Sequence, residues 1–400
     1  MRILMLAPTP YFSDRGCHVR IYEEARVLRR LGHEVRIVTY HLGRNLDDIP
    51  TERIPAVPWY RKLSAGPSWH KPYLDILLLF KAWQVARRFR PDLLHAHLHE
   101  GAFVAALLKP VLRLPIVFDC QGSLTGELVD HRFVRKGSLL YRVFYLLEAW
   151  ICRRADAIVT SATPTAELLK ADFAVPEARI TAVVDGVDAG DFHHHPGQHD
   201  LKRELGLPPA KQVVVFLGAM NEYQGIDLLL DVIKTLSARR QDCHFLLMGY
   251  PERAYRERAA TLGIAGLVTF TGKIPYDQAA RYLSLGQIAI SPKLSRTEAN
   301  GKLFNYMACG LPAVVFDTRI NREILGDAGL YAEFGDAEAL TNGLAALLDD
   351  PERGRNLGRV AWQKALAEHS WANRATLLEH VYHRLLGVGD SDVQIMNSKR

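Results

Sequence analysis

The stretch VVVFLGAMNEYQGIDLLL, residues 213–230, decides the fold class, because a strand pattern passes directly into a helix pattern. Five apolar residues lead into Gly218, a polar loop follows, and apolar residues then recur at helical spacing from Ile226. Apolar runs that alternate with helical patterns are typical of parallel α/β layers. The stretch therefore predicts a strand, a loop at its carboxyl end and a covering helix.

The same alternation runs along most of the chain, and a polar loop at 190–200, GDFHHHPGQHD, divides it into two series. Before this loop, strands are predicted at 2–7, 34–40, 93–97, 115–120, 157–162 and 180–184, and helices at 18–31, 73–89, 101–112, 138–153 and 164–171. After it, strands are predicted at 213–218, 244–249, 267–271, 287–291 and 313–316, and helices at 226–240, 252–262, 276–285, 301–309, 336–348, 351–369 and 372–387. The pattern predicts an α/β protein with two doubly wound, Rossmann-like domains that face each other across a cleft, followed by C-terminal helices.

The domain boundaries are predicted from the same pattern. The N-terminal domain covers 1–195 and the C-terminal domain covers 205–370. The helix at 371–388 is expected to pack back on the N-terminal domain. Residues 389–400 lack periodicity and are expected to form a flexible tail. Ligands of such folds bind at the carboxyl ends of the strands, so we expect the chemistry in the loops that follow them.

Composition indicates a globular protein of the cytoplasm. The 400 residues are 48% hydrophobic and 24% charged, and no run of 18 uncharged apolar residues predicts a transmembrane helix. The N-terminal MRILMLAPTP is too short for a signal peptide and fits a first strand. Five scattered cysteines form no C-x-x-C pair, which favours reduced thiols in a cytoplasmic protein.

Positive charge is concentrated in the first part of the chain, where residues 1–150 carry 22 Lys and Arg against 14 Asp and Glu. Such an excess suits an anionic partner, which can be membrane lipid, nucleic acid or a phosphorylated substrate. Simple solvation of the surface is the equally weighted alternative. Because no nucleic-acid-binding module is recognisable, we expect no nucleic-acid partner.

The usual cofactor motifs are missing. No G-x-G-x-x-G follows the first strand and no P-loop is present, so neither a dinucleotide cofactor nor ATP hydrolysis is expected. Gly16 in SDRGCHV nevertheless lets the backbone approach a ligand, and the following helix points its N–H groups at the cleft. An ordinary turn is the alternative.

Three histidines, His95, His97 and His99, alternate in LLHAHLHE, so their side chains share one strand face. One interpretation is a metal site, since imidazole binds zinc. The favoured interpretation is a hydrogen bond from a histidine at the strand end to a hydroxylated substrate. A single D-x-D, Asp390 and Asp392, lies in the tail. No metal ligand is therefore predicted.

Glu298 and Lys302 follow the predicted strand 287–291 and precede the predicted helix 301–309. A carboxylate there can accept hydrogen bonds from two sugar hydroxyls. Lys302 can neutralise a phosphate that the helix N-terminus already favours. The alternative is a capping pair on a surface helix.

Taken together, these motifs resemble those of the family-four glycosyltransferases of the GT-B fold. The resemblance covers nearly the whole chain and lies in a series of segments in the family's order. They are MRILMLAPTP…RGCHV…LRRLGHEVRIVT, PDLLHAH, VVDGVDAGDF, VVVFLGAMNEYQGIDLLL, VTFTGKIPYDQAARYL, SPKLSRTEANGKLFNYMACGLPAVV and HSWANRATLLEHVY.

The resemblance implies a retaining, metal-independent glycosyltransferase that moves a sugar from a UDP-, GDP- or ADP-sugar to a hydroxyl acceptor. It implies a role in cell-surface polysaccharide or glycolipid synthesis, with a catalytically silent sugar-nucleotide or glycan-binding protein as the alternative. The implied catalytic residues are His97, Glu298 and Lys302. The implied donor-binding residues are Gly16, Gly218, Gly249, Lys273, Ile274, Asn300, Gly301, Leu303 and Asn305, and those on the acceptor side are Arg15, His18, His99 and Gln121.

The chain departs from the family pattern where the donor diphosphate binds. Ala219 and Gln224 stand where the family usually has an arginine and a lysine. Thr297 and Asn305 stand where it usually has two glutamates, and Glu298 is one residue out of step. Lys302 and the N-terminus of the predicted helix are the nearest replacements, which indicates a branch variant of the family.

Two basic segments, 57–90 and 130–154, mix aromatic residues with Lys and Arg beside apolar helices. This composition suits the headgroup boundary of an anionic membrane. It predicts peripheral contact with the inner face of the plasma membrane and a glycan or lipid-linked acceptor. The slightly favoured alternative is a pair of core helices with basic ends that reach solvent.

Overall fold

The computed structural model describes residues 1–14, 16–63, 66, 68–130, 132–295 and 298–388. It contains two parallel sheets covered by helices on both faces, which confirms the predicted α/β class with two doubly wound units. The predicted tail at 389–400 lies outside the described residues.

The first unit contains seven strands in the order β3-β2-β1-β4-β5-β6-β7. These strands are β1 (Arg2–Ala7), β2 (Glu34–Thr39), β3 (Thr51–Arg53), β4 (Leu93–His97), β5 (Ile116–Cys120), β6 (Ala157–Thr160) and β7 (Ile180–Ala182). Its helices are α1 (Gly16–Arg30), α2 (Lys71–Phe89), α3 (Leu98–Leu112), α4 (Leu124–Asp130), α5 (Leu139–Arg154) and α6 (Thr163–Phe173).

The second unit contains six strands in the order β10-β9-β8-β11-β12-β13. After α7 (His199–Glu204) come β8 (Gln212–Leu217), β9 (Cys243–Met248), β10 (Val268–Gly272), β11 (Ile288–Ser291), β12 (Ala313–Phe316) and β13 (Gly329–Ala332). The helices are α8 (Ile226–Ser237), α9 (Arg253–Thr261), α10 (Ala279–Leu283), α11 (Lys302–Ala308), α12 (Arg319–Leu325), α13 (Ala337–Asp349), α14 (Pro351–Glu368) and α15 (Trp371–Leu386).

Side-chain alternation along the strands builds one apolar layer on each face of a sheet. In β1, Ile3 and Met5 pack toward α1 and α15, whereas Leu4 and Leu6 pack toward α2 and α3. Helix α15 therefore lies on the first unit, with Tyr382 fully buried against it. The exact domain boundaries remain predictions. Of the helices in the described residues, none has the length and hydropathy needed to cross a bilayer.

Strand order reverses once in each sheet, between β1 and β4 and between β8 and β11. Loops that leave two such strands diverge to opposite faces of the sheet and leave a crevice at the carboxyl ends. The two units touch near these crevices, where Lys273 Nζ lies 3.0 Å from Asp14 Oδ2. Tyr276 also donates to Glu23 Oε1 at 3.0 Å. These contacts join the loop after β1 and helix α1 of the first unit to the segment after β10 of the second.

Candidate functional site

Lys302 is the centre of the crevice in the second unit. Its ammonium group donates to Gln224 Oε1 and lies 4.6 Å from the centre of the Phe216 ring. Gly218 leaves room for the Lys302 side chain, since a Cβ at position 218 would lie 3.1 Å from Lys302 Nζ. Lys302 therefore occupies the place beside Gln224 where the sequence predicted a diphosphate contact.

The charge of Lys302 is poorly compensated. Burial lowers its pKa well below the usual lysine value, and the nearby charge of Lys293 lowers it further, while Glu298 opposes both effects. A neutral amide is a weak partner for an ammonium ion, because it offers a dipole and no charge. An incoming anion would therefore stabilise the charged form of Lys302.

The loops after β8 and β11 interlock beneath this lysine. Gly225 has a φ of +74°, and a Cβ there would lie 2.0 Å from the carbonyl oxygen of Pro292, so only glycine fits. The backbone N–H of Leu294 donates to the carbonyl of Tyr223 at 2.8 Å. Tyr306 is fully buried, and its hydroxyl accepts from the Leu217 N–H at 2.8 Å. The two loops are therefore held as one unit.

Lys293 and Glu298 form an ion pair on the loop after β11, with Nζ 3.1 Å from Oε2. Lys293 is only 5% exposed, and it also donates to the carbonyl of Ala299 at 2.7 Å. Its ammonium lies 5.9 Å from the centre of the Tyr223 ring. This arrangement holds Glu298 in place and brings a second lysine toward the pocket of Lys302.

Other predicted donor residues near this loop lie in supporting positions. The buried amide of Asn300 donates to Ser291 Oγ at 3.0 Å and to Asn321 Oδ1 at 2.9 Å. Leu303 is fully buried in the core, so its side chain does not reach the cleft. Asn305 is partly exposed on α11. The predicted helix 301–309 is shorter than expected, because α11 comprises only seven residues.

The remaining predicted donor residues line the crevice or the boundary between the units. Gly249 allows the loops after β8 and β9 to meet, since a Cβ there would lie 1.8 Å from the carbonyl oxygen of Gly218. Lys273 reaches across the cleft to Asp14. Ile274 packs in the core of the second unit. Gly301 approaches Asp185 of the first unit, whose Oδ2 would lie 3.2 Å from a Cβ at position 301.

In the first unit, His97 is fully buried at the end of β4 and joins a charge network. Its Nδ1 lies 2.8 Å from Asp119 Oδ2, which also accepts from Gln121 Nε2 at 2.7 Å. Arg20 Nε donates to both oxygens of Asp119 at 3.0 and 3.1 Å. Burial raises the pKa of Asp119, but the charge of Arg20 and the hydrogen bond of His97 outweigh it and hold that pKa well below its usual value.

The same network includes a possible ligand set for a metal ion. Ligand atoms of Glu24, His95, His97 and Asp119 all lie within 4.8 Å of one another. However, Arg20 Nη2 already lies 2.8 Å from Asp119 Oδ1 and 2.9 Å from Glu24 Oε1. Because a guanidinium stays charged, it would repel a second cation at this point. The geometry therefore fits an ion network closed by Arg20 better than a metal site.

Two histidines that were predicted on the acceptor side, His18 and His99, are buried, and their contact with an acceptor stays a prediction. His18 Nδ1 accepts from the Ser13 N–H at 2.9 Å, and its Nε2 bonds Thr9 Oγ1 at 2.5 Å. His99 lies in the first turn of α3, only 6% exposed, with its Nε2 3.3 Å from Glu148 Oε1. The contacts of both side chains hold neighbouring segments of the first unit together, and neither side chain is exposed to solvent.

Gly16 starts α1 in open space, since a Cβ there would meet no heavy atom within 4 Å. The position is open, and the approach of a ligand to it stays a prediction. Arg15 and Thr297, two further predicted positions, lie outside the described residues.

The first and second units meet directly beside Glu298. Its Cγ would lie 3.4 Å from a Cβ at Gly122, which follows β5. Glu127 of α4 is also close enough to interact electrostatically with Glu298. Burial raises the pKa of Glu127 to about 7, Lys71 opposes this shift, and Glu298 adds to it. Carboxyl groups from both units thus line the cleft next to the lysine pocket.

Sequence patterns missed several of these residues, although some left a signal. Asp119 is a charge at the end of the apolar run PIVFDC. Arg20 and Glu24 are spaced i, i+4 on the buried face of α1. Lys293 directly follows the strand run and its proline. A charge at the carboxyl end of a buried strand is the common signal for Asp119 and Lys293.

Comparison with known protein families assigns both halves of the chain. The family described as "Glycosyl transferase 4-like domain" matches residues 15–186. The family described as "Glycosyl transferases group 1" matches residues 211–350. The first match contains strands β2 to β7, and the second contains strands β8 to β13.

Curated relatives resemble the chain along nearly its full length. A D-inositol 3-phosphate glycosyltransferase of Thermobispora bispora is 26% identical over 403 residues, which cover 94% of this chain and 92% of the relative. A phosphatidyl-myo-inositol mannosyltransferase of Mycolicibacterium smegmatis is 26% identical over 402 residues, which cover 97% of this chain and 95% of the relative.

Solved structures share the fold. A sucrose-phosphate synthase of Thermosynechococcus elongatus superposes with a TM-score of 0.80 at 18% identity, covering 97% of this chain and 100% of that structure. HepE of Anabaena in complex with UDP-glucose superposes with a TM-score of 0.78 at 16% identity, covering 96% and 100%.

Proposed function

The chain belongs to the glycosyltransferases built from a glycosyl transferase 4-like domain and a glycosyl transferases group 1 domain, and on this premise we propose how it works. Sugar transfer in glycan or glycolipid synthesis is the activity of this family. The proposed donor is a nucleotide sugar that binds the crevice between β8 and β11. The observation that carries this proposal is the poorly compensated charge of Lys302 at that crevice.

In the proposed reaction, the bond between the anomeric carbon and the diphosphate oxygen breaks and negative charge develops on the diphosphate. Lys302 stabilises that charge. Glu298 accepts hydrogen bonds from sugar hydroxyls and orients the sugar. The related structure of HepE with UDP-glucose supports this class of donor.

We propose that the anomeric configuration is retained. The acceptor oxygen bonds the anomeric carbon on the face that the diphosphate leaves, and the acceptor proton passes to a diphosphate oxygen. Glu298 is suited to orienting the sugar, because its carboxylate is paired with Lys293 at 3.1 Å. NMR of the product formed from an α-linked donor tests this step. An α-linked product is expected, and a β-linked product would contradict retention.

Metal independence is proposed because Arg20 already pairs with Glu24 and Asp119, two members of the one candidate metal-ligand cluster found among the described residues. The transfer rate should be unchanged by EDTA. Loss of activity in EDTA, with recovery on addition of manganese or zinc, would instead place a metal at His95 and His97. Binding of a nucleotide sugar without any sugar release would favour a catalytically silent binding protein.

A lipid-linked acceptor is proposed from an exposed apolar surface on three adjacent helices of the first unit. We call this surface the docking face. It consists of Ile76, Phe80 and Trp83 of α2, Leu107 and Val111 of α3, and Leu139, Val143 and Leu146 of α5. Helix α2 packs on α3, and α3 packs on α5, so the three rows are neighbours. Exposure reaches 67% at Val111 and 80% at Leu139.

Positive charge borders the docking face. Arg87, Arg135, Lys136 and Arg142 are all exposed on the same helices or the loop before α5. Trp69 is 72% exposed and contacts Phe133, with ring centres 5.0 Å apart and ring planes tilted by 42°. Apolar side chains rimmed by basic and aromatic residues fit an anionic bilayer surface. The proposed location is therefore the inner, cytoplasmic face of the plasma membrane, where the protein meets a lipid-linked acceptor.

Co-sedimentation with liposomes tests the docking face. Binding to anionic vesicles should weaken with salt, since each basic residue near such a surface contributes about 1 kcal/mol. The double variant F80E/V143E should no longer pellet. The control variant V360E, which changes an exposed apolar residue of α14, should bind as the wild type does. Failure of the wild type to pellet with any vesicle would favour a soluble acceptor.

A further inference from the structure

The diphosphate crevice holds two lysines, although neither residue stands at the positions where the resemblance predicts cations. Those positions are Ala219 and Gln224. Lys302 bonds Gln224 from one side. Lys293 reaches the same region from the loop after β11, because Gly225 and Pro292 lock that loop against the loop after β8.

Positively charged side chains outnumber negatively charged ones in this crevice. The charge of Lys293 is close enough to disfavour that of Lys302, and Glu298 is the carboxylate that contacts Lys293. Lys293 is only 5% exposed, and its ammonium group donates one hydrogen bond to the neutral backbone carbonyl of Ala299. A buried lysine that holds a neutral carbonyl beside a second lysine is suited to receive an anion.

We propose that Lys293 is the second cation of the donor diphosphate site and replaces the missing family lysine from a different loop. When the donor binds, Lys293 exchanges the Ala299 carbonyl for a diphosphate oxygen. Lys293 keeps its ion pair with Glu298 Oε2, and the other carboxylate oxygen of Glu298 accepts the sugar hydroxyls. This inference rests on the proposed function, since it requires a nucleotide sugar in the crevice.

The competing explanation is that Lys293 only neutralises Glu298 and braces residues 298–300. The two explanations predict different results for a double variant. If Lys293 serves Glu298, then K293Q/E298Q removes both charges and restores binding. If Lys293 binds the diphosphate, the double variant stays defective, because no cation replaces it.

Calorimetric titration with UDP, GDP and ADP, and ligand-observed NMR with the matching nucleosides, tests the inference. For the diphosphate that binds the wild type best, K293Q should weaken affinity roughly ten- to a hundredfold, the loss expected for one charge-assisted hydrogen bond. Affinity for the nucleoside should stay within about twofold, and K293R should keep most of the diphosphate affinity. The control K234Q changes an exposed lysine of α8 and should bind as the wild type does.

Each contrary result has a separate meaning. Equal losses for nucleoside and diphosphate, or recovery in K293Q/E298Q, would overturn the role of Lys293 and leave the proposed function intact. So would unchanged diphosphate affinity in K293Q. No binding of any nucleoside diphosphate by the wild type would overturn both proposals. Thermal unfolding of each variant shows whether the fold is retained, and K293R keeps the charge if K293Q does not fold.

Discussion

Strand order reverses between β1 and β4 in the first unit and between β8 and β11 in the second. The two places differ in the ratio of positive to negative side chains. In the first unit, Arg20 contacts Asp119, Glu24 and Asp185, and His97 completes the set. In the second unit, Lys293 and Lys302 face one carboxylate and one amide. The first set places one guanidinium among three carboxylates, and burial raises the pKa of two of them, Glu24 and Asp185. The second set has two lysines and one carboxylate, so it carries surplus positive charge.

We infer that the first region has a structural role, whereas the second is suited to bind a ligand of negative charge. A buried ion network is strongly destabilised when its only cation is removed, because buried carboxylates are left without their partner. A surplus charge lowers the stability of the free protein, and a ligand of opposite charge recovers that loss. Substitutions in the two regions should therefore have opposite effects on stability.

The largest expected effect is that of R20M in the first region. Removing the guanidinium leaves Asp119 buried with His97 and Gln121 as partners, so the free energy of unfolding should fall by about 3–5 kcal/mol. Urea denaturation followed by circular dichroism measures this change. R29M, which alters an exposed arginine of the same helix, is the control. Equal stability of the two variants would show that the network is not a structural element.

K302M in the second region should lower turnover at limiting donor roughly ten- to a hundredfold. Its free energy of unfolding should stay equal or rise by about 1 kcal/mol, because the folded state disfavours the lysine charge. Steady-state kinetics and urea denaturation of one preparation measure both quantities. K234M, at an exposed lysine of α8, is the control. A variant with normal turnover and reduced stability would make Lys302 a structural residue.

The smallest effect is expected at the boundary between the regions, where Glu23 accepts from Tyr276 and pairs with Arg26 at 2.7 Å. Burial raises the pKa of Glu23 to about 7, against the lowering charge of Arg26. The folded protein therefore holds a proton that the unfolded chain loses above about pH 4.5. Stability from this group is full below that pH and is lost as pH rises to about 7.

E23Q removes this titration, so the stability of the variant should fall less than that of the wild type between pH 5 and pH 8. The difference should be on the order of 2 kcal/mol. Thermal unfolding at a series of pH values measures it, and E34Q, at an exposed residue of β2, is the control. Parallel pH profiles for E23Q and the wild type would contradict the raised pKa.

Sequence patterns predicted the long buried elements well and the short edge elements poorly. Strands such as β1 and β9 are continuous apolar runs, so their positions follow from composition alone. Strand β3 is three partly exposed residues, Thr51–Arg53, with no apolar run to reveal it. Strand β13 begins with a glycine, and α4 and α12 are only seven residues long.

The site was predictable where one segment supplies the chemistry and unpredictable where two segments must meet. Glu298 lies in the loop before α11 and Lys302 begins that helix, so one short segment supplies both, and their types alone suggested a sugar and a phosphate. Lys293 gains its position from a contact between Gly225 and Pro292, which lie far apart in the sequence. The acceptor-side role of His99 stays a prediction, since α3 begins directly after β4 and brings this side chain beside Glu148.

The contact between Gly225 and Pro292 also limits how the two loops can change in length. A residue inserted after β8 would shift Gly225 and push the carbonyl of Pro292, and with it Lys293, away from the crevice. An insertion after β11 would displace Gln224 and Lys302 in the same way. A change in the length of one loop should therefore be tolerated only with a matching change in the other. We expect the lengths of the two loops to be correlated among related sequences.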